Sequence, residues 1–398
     1  MKTKFQTYMK ELKRILIILV LVLNVSNLFA IQFSDSVRIS ILTCAPGNEL
    51  YSLFGHTAIR VQDSDKDVVF NYGTFDFNTP HFYYKYVKGL LPYKLSAQNY
   101  SNFINSYQEE KRTVYSQTLD LNNEQKQKIV ELLIENYKPE NRYYLYNFLY
   151  DNCTTRVRDI IQKAISNKIN WSIDIDDKNF WNLLDEYLDA APWAQWGIHS
   201  ILGQDGNNEA TVLQKMFLPD YLMEGINFAN YKKKSEIKPT RLSKNAEILY
   251  KAPQLEKTNS WYFNPIFIFI IFPIIFIALY ELTRKKWIIT SGATIIYLFT
   301  TILGLLIIFL GGSTAHPMTA PNWNILWAIP LNICIIPFLY FKKIPVIIQW
   351  YLLVYSLILL VAIPLWFILM PALPLATFFL LLFTLYLNIR LYILNYNK

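Results

Sequence analysis

Cysteine is scarce in this 398-residue chain, which has only Cys44, Cys153 and Cys334. An odd, small number excludes the disulfide framework of a small secreted scaffold. A single Cys44–Cys153 bridge is the one pairing an oxidising compartment would invite. Histidine numbers four, and no pair of histidines or carboxylates has metal-ligand spacing. The twelve glycines form no phosphate-cradling loop. No metal and no cofactor is therefore expected. Acidic residues are nearly absent from residues 260–398, where Glu281 stands against seven Lys and Arg.

Charge excludes a further class. The net +8 resembles a nucleic-acid binder only until it is divided along the chain. Residues 1–30 hold five basic residues and Glu11, whereas residues 31–259 carry 26 basic against 28 acidic residues. The positive charge belongs to the ends, so no nucleic-acid partner is expected. Lys2, Lys4, Lys10, Lys13 and Arg14 precede the apolar run Ile15–Val25, and small and turn residues lead to Ala30. That is the pattern of a leader over 1–30, cleaved after Ala30 or kept as an anchor. Either version delivers residue 31 onward to the far side of a membrane.

What is abundant is apolar sequence near the C-terminus. Apolar segments at 261–281, 287–310, 322–341, 344–369 and 372–392 are each long enough to cross roughly 30 Å of hydrocarbon. Arg284-Lys285-Lys286, Lys342-Lys343, Arg390 and Lys398 fall on one side of five such spans, and the uncharged connections 311–323 and 370–371 on the other. The positive-inside rule then puts the C-terminus in the cytoplasm. The expected organisation is an α+β domain over 31–230, a basic juxtamembrane linker over 231–260, and an all-α five-helix membrane domain over 261–392.

Within the soluble part, Val37–Leu42 reads as a buried strand. The alternation of His56, Ala58 and Arg60 against Thr57, Ile59 and Val61 reads as another. Asp67–Gly73 closes a hairpin with it. Asn122–Tyr137 is a capped helix, and residues 170–229 are expected to form a lid or substrate-side subdomain. The chain turns on Tyr146-Asn-Phe-Leu-Tyr-Asp-Asn-Cys153-Thr-Thr-Arg156. Asn152 is a good N-cap, which puts Cys153 at the positive end of a helix and favours its thiolate. A thiolate needs a proton relay, and His56, on a strand beside a glycine, is the candidate. Asn71 on the next strand is placed to orient it, with Asp151 as the alternative. Arg156 and Arg158 are candidates for a phosphate headgroup. His316, in an outer loop, is a candidate for substrate docking. His81 and His199 look structural, Cys334 looks like a packed helix residue, and Cys44 is the rival nucleophile without a helix start. A long acyl chain needs apolar surface beside the site, which membrane helices supply at about 0.8 kcal/mol per buried methylene.

Histidine on a strand first and Asn-Cys at a helix start later resembles the circularly permuted papain-like group that includes lecithin-retinol acyltransferases. Leu42-Thr-Cys-Ala-Pro-Gly-Asn-Glu-Leu-Tyr-Ser-Leu-Phe-Gly-His56, Asn71-Tyr-Gly-Thr-Phe-Asp-Phe77 and Asp151-Asn-Cys-Thr-Thr-Arg156, followed by five spans, are similar to Lnb, a lipoprotein N-acyltransferase family. The resemblance implies a periplasmic permuted papain-like domain on an inner-membrane base. It implies that Cys153 takes an acyl chain from a membrane phospholipid as a thioester and passes it to the N-terminal amine of a diacylglyceryl-cysteine lipoprotein. His56 would be base and then acid, and amides at the helix start, with Asn152, Arg156 and His316 nearby, would hold the substrate. The competing expectations are a membrane-anchored periplasmic cysteine peptidase or amidase acting on cell-wall peptides, and a non-catalytic scaffold.

Overall fold

The computed structural model describes residues 37–165, 169–173, 177–232, 238–253, 261–369 and 375–396. The expected leader over 1–30, the connection at 370–371 and Lys398 lie outside these residues. The soluble part begins β1 (Arg38–Cys44), β2 (His56–Gln62), β3 (Asp67–Thr74), α1 (Phe82–Lys88), β4 (Pro92–Asn99), α2 (Tyr100–Glu109), β5 (Val114–Thr118), α3 (Asn123–Tyr137), β6 (Tyr143–Leu145) and α4 (Cys153–Ala164). It continues β7 (Ile169–Asn170), α5 (Phe180–Leu188), α6 (Pro192–Ile201), α7 (Val212–Lys215), α8 (Pro219–Phe228), β8 (Asn230–Tyr231), β9 (Thr240–Arg241) and β10 (Glu247–Tyr250).

An antiparallel seven-stranded sheet, ordered β10-β5-β1-β2-β3-β4-β6, organises this domain. The period of two in β2 sorts its side chains onto two faces. Ile59 and Val61 pack with Val157, Ile160 and Ile161 of α4 and with Ile129 and Leu133 of α3. Ala58, on the other face, packs with Cys44 and with Phe103 of α2. The Asp63–Lys66 turn forms because the Asp63 carboxylate accepts the amides of Asp65 and Lys66 at 2.9 and 2.7 Å. Asn122 caps α3 in a capping box with Gln125, as its sequence predicts.

The segment expected as a lid or substrate-side subdomain forms a packed layer. Phe180, Trp181, Leu183, Leu184 and Leu188 of α5 share a core with Leu53, Leu149, Phe217 and Leu218, so this layer braces the chain on both sides of the candidate site. The 231–260 linker is also shorter than expected. Tyr231, Thr240 and Arg241 lie in a small sheet, and β10 is the edge strand beside β5, so the described part of this stretch belongs to the domain.

Beyond it lie α9 (Pro265–Thr283), α10 (Lys286–Ser313), α11 (Asn332–Leu339), α12 (Val346–Leu369) and α13 (Leu375–Tyr396). Among the described residues four helices, not five, are long and apolar enough to cross a membrane. The third expected span, 322–341, is broken. It makes a short 3-10 turn over Trp323–Leu326 and then the eight-residue α11. Pro330 lacks an amide and disfavours helix at the residue before it, which is why hydropathy alone misreads this stretch. The broken segment still runs back along α10. A Cβ on Gly311 would lie 3.0 Å from Ala320, and one on Gly304 would lie 2.0 Å from the carbonyl oxygen of Ala328. At the far end the Lys286 ammonium donates to the Phe341 carbonyl at 2.8 Å. Asn332 anchors the break, donating to Thr300 at 2.8 Å and accepting from the Tyr351 hydroxyl at 2.6 Å. Cys334 lies in α11 as expected but is exposed on it, not packed inside.

Contacts at α1 and at α6 seat the soluble domain on this base, and Trp196 of α6 also donates to the Thr377 hydroxyl of α13 at 3.0 Å. Lys88, the last residue of α1, accepts the Ala315 amide at its carbonyl at 3.0 Å, and its ammonium donates to the Ser313 carbonyl at 2.7 Å. At α6, Asn322 and Asn324 both donate to the Ser200 carbonyl, at 3.1 and 3.0 Å.

Candidate active site

The sheet splits where the site forms. Strands β1 and β2 stay paired down to Cys44 and His56, but β2 and β3 part beyond Ile59 and Phe70. The N-terminus of α4 enters this gap, with the Thr154 hydroxyl 3.2 Å from that of Thr57. Two glycines make the geometry possible. Gly55 has φ +78°, and a Cβ there would meet the Cys44 carbonyl oxygen at 2.7 Å. Gly73 has φ +82°, and its missing side chain leaves room for Cys153 and Tyr146.

Asn152 starts α4 as its sequence predicts. Its side-chain oxygen accepts the amides of Thr154 and Thr155, each at 2.9 Å, and its own backbone amide donates to the Thr155 hydroxyl at 2.8 Å. Its side-chain nitrogen donates to the carbonyls of Phe148 and Phe217, both at 2.8 Å. All four hydrogen-bonding positions of this amide are therefore used by the protein itself. Asn152 positions the helix and has nothing left for a substrate, contrary to the expectation above. The same bonds occupy two of the helix-start amides expected to face an oxyanion.

The structure brings His56, Asn71 and Cys153 together. Burial raises the Cys153 thiol, but the charge of His56, its hydrogen bond, the Thr57 amide and the Thr154 hydroxyl outweigh it and hold the pKa at about 7. The His56 Nε2 lies 3.3 Å from the Asn71 side-chain oxygen, leaving Nδ1 as the ring atom free to serve the sulfur. The Asn71 amide is set in that orientation because its nitrogen donates to the Val69 carbonyl at 3.4 Å. The two residues meet diagonally beyond the last rung of the β2–β3 ladder, not as a facing pair.

The other candidates fall elsewhere. Asp151 does not orient His56; it forms a two-pronged ion pair with Arg156, at 2.6 and 2.7 Å. The Arg156 guanidinium also stacks 3.5 Å above the Tyr144 ring, so its charge is already matched. Arg158 binds Asp159 and the Leu213 carbonyl. His316 is bonded to the Val87 carbonyl at 3.0 Å, at the seat of the soluble domain. His199 is buried against Asp185 and Trp181. Cys44 is the rung partner of His56 and fully buried, and burial pushes its thiol up to about 12. Both Cys44 and Cys153 are free, so the alternative bridge does not form.

One residue at the site has no assignment from sequence. The Tyr146 hydroxyl hydrogen-bonds the Cys153 side chain, and its ring stacks on Tyr93 at 4.5 Å. Nothing in its spacing among the aromatics of 143–150 sets it apart. Gly73 did carry a signal, since an isolated glycine inside a strand marks close approach of another backbone or side chain.

Among the described residues no group of three or more His, Cys, Asp or Glu is arranged to hold a metal. A sheet-rich domain seated on a base of membrane-length helices, with a lowered thiol at its split edge, defines a class of membrane-bound protein with thiol chemistry within reach. Two family models match the chain: the Lnb N-terminal periplasmic domain over residues 30–187 and the Lnb transmembrane domain over residues 257–398. The chain belongs to the Lnb-type family. No curated protein and no solved structure matches it. Both halves mark a membrane enzyme of lipoprotein modification, with its soluble domain on the periplasmic side of the inner membrane.

Proposed function

We propose that the chain is a lipoprotein N-acyltransferase working through a thioester on Cys153. The observation that carries this reading is the meeting of His56, held by Asn71, with Cys153 at the start of α4 in a chain whose two halves match the Lnb domains; His56 holds the thiol at about 7 despite its burial. At neutral pH such a sulfur is substantially thiolate, and its partner is an imidazole able to return the proton. The thiolate attacks the ester carbonyl of a membrane phospholipid. The ester C–O bond breaks, imidazolium protonates the departing oxygen, and a lysophospholipid leaves. The N-terminal amine of a diacylglyceryl-cysteine lipoprotein then attacks the thioester. Its proton passes to His56, the C–S bond breaks, and an amide and the free thiolate remain.

The Cys153 amide, which has no partner among the described residues, supplies an oxyanion donor next to the sulfur. Asn71 holds His56, and the order of histidine strand before cysteine helix supports reading the domain as permuted papain-like. Glu281, Arg284 and Arg390 share one end of the bundle, where Glu281 pairs with both arginines. That basic end supports a cytoplasmic C-terminus and a broken third crossing along α10. A cell-wall peptidase would need only an anchor, and a base this large fits it less well. The test is mass spectrometry of lipoprotein N-termini from cells carrying wild type or Cys153→Ser. Acylated amines lost in the variant support the reading, whereas free amines in both, with altered wall peptides, favour the peptidase.

A further inference from the structure

Helix α1 turns large apolar side chains outward. Tyr83 is 79% and Tyr84 65% exposed, with Tyr86, Val87, Leu90 and Phe77 also turned outward. Left in water, such a patch is unusual for a soluble surface. The segment 82–90 also carries Lys85 and Lys88 and no acid. Its place in the fold says what covers it. Lys88 and Val87 are bonded to residues 313–316, at the end of α10 and just past it, and the Lys88 ammonium sits 4.9 Å from the ring centre of Phe309 within α10. Aromatic and basic side chains at the end of a membrane helix occupy the headgroup region.

The rings do not stop at the surface. Phe82 packs on Phe77 at 5.0 Å and on Phe75 at 5.8 Å. Phe75 meets Tyr93 at 5.3 Å, Tyr93 stacks on Tyr146 at 4.5 Å, and Tyr146 reaches Cys153. An unbroken row of aromatic side chains thus joins the exposed helix to the sulfur.

We propose that α1 lies in the headgroup region of the periplasmic leaflet, and that this row of rings is the track along which an acyl chain of a membrane phospholipid reaches Cys153. The second half rests on the acyl-transfer reading above; the first half does not. The ring faces offer apolar surface to a flexible chain, with the hydroxyls of Tyr93 and Tyr146 confined to the ring edges, while Lys85 and Lys88 stay level with the phosphates.

The experiment uses the full chain in vesicles of phosphatidylethanolamine and phosphatidylglycerol. Benzoylphenylalanine in place of Tyr84 is irradiated and lipid adducts are counted, with the same residue in place of Asp65, at the opposite end of the sheet, as control. Adducts at position 84 at least tenfold above position 65 are expected, and equal yields overturn the membrane placement. Separately, Cys153 acylation by the vesicle lipid is followed in Tyr83→Ser/Tyr84→Ser/Tyr86→Ser and in Phe75→Ser. A loss of at least tenfold is expected in both, with iodoacetamide still alkylating Cys153 at the wild-type rate as proof of an intact site. Wild-type acylation rates in both variants overturn the track. If wild type itself gains no acyl group, the acyl-transfer reading fails with the track, while the adduct yield still decides where α1 lies.

Discussion

Gly73 and Cys153 fit together as absence and presence: a Cβ on Gly73 would stand 3.5 Å from the Cβ of Cys153 and 3.2 Å from the Tyr146 ring. Gly73→Ala therefore combines strain at positive φ with crowding of the sulfur. The left-handed backbone costs a β-carbon about 1–2 kcal/mol. The expected result is a melting temperature lowered by several degrees and a slower Cys153 alkylation, read by thermal unfolding and labelling kinetics. Unchanged labelling would mean that the gap between β2 and β3 tolerates filling.

The pH profile of alkylation tests the pairing of His56 with Cys153. The thiol is lowered to about 7, so the rate with iodoacetamide should be small below that pH, rise through it and level off above. His56→Ala removes the two largest lowering influences and leaves burial, which raises the thiol. Its midpoint should move upward past the ordinary thiol value, toward the behaviour of buried Cys44. A midpoint still near 7 in this variant would show that the imidazole is not the cause.

Asn71→Ala leaves the His56 ring without its 3.3 Å partner. The expected loss is about tenfold to a hundredfold in kcat with KM nearly unchanged, because the substrate surface is untouched. Asn71→Asp, which keeps the acceptor, should recover part of it. A change in KM alone would assign Asn71 to substrate contact instead.

Asn152→Ala removes a helix cap and strands the carbonyls of Phe148 and Phe217 without a donor. The combined cost is about 2–4 kcal/mol. Asn152→Asp keeps the cap and loses the two donations, so it should fall between wild type and Ala in thermal unfolding. Equal stability of Asp and wild type would show that the link to Phe217 contributes little.

How much of this was legible from the sequence depends on where each signal lives. The β2–β3 hairpin, α3 and α4 were readable because alternation, caps and helical spacing are local. His56 and Cys153 were readable as types in suitable settings, although their meeting depends on the split sheet. The layer over 177–228 was not readable, since Phe180 and Leu184 find their partners in Leu53 and Leu149, far away in the chain. Strand β10 is four residues long and takes its identity from pairing with β5. The broken third segment fooled a hydropathy window, because Asn324 and Asn332 are masked by apolar neighbours and their need for partners is met only in three dimensions.

Helix α10 has a consequence for the whole molecule. Its 28 residues extend about 42 Å, well beyond the roughly 30 Å of hydrocarbon it crosses. Its end, Ser313, and the loop after it hold the soluble domain under α1, through Ala315 and His316, and under α6, through Met318–Asn324. Trp193 and Trp196 of α6 also bond the Phe263 carbonyl and the Thr377 hydroxyl, at 2.9 and 3.0 Å. The helix is thus one of several fixed supports: deleting a turn of α10 would pull the loop under α1 and α6 out of step with Phe263 and Thr377, so the soluble domain could not keep all of its seats at once.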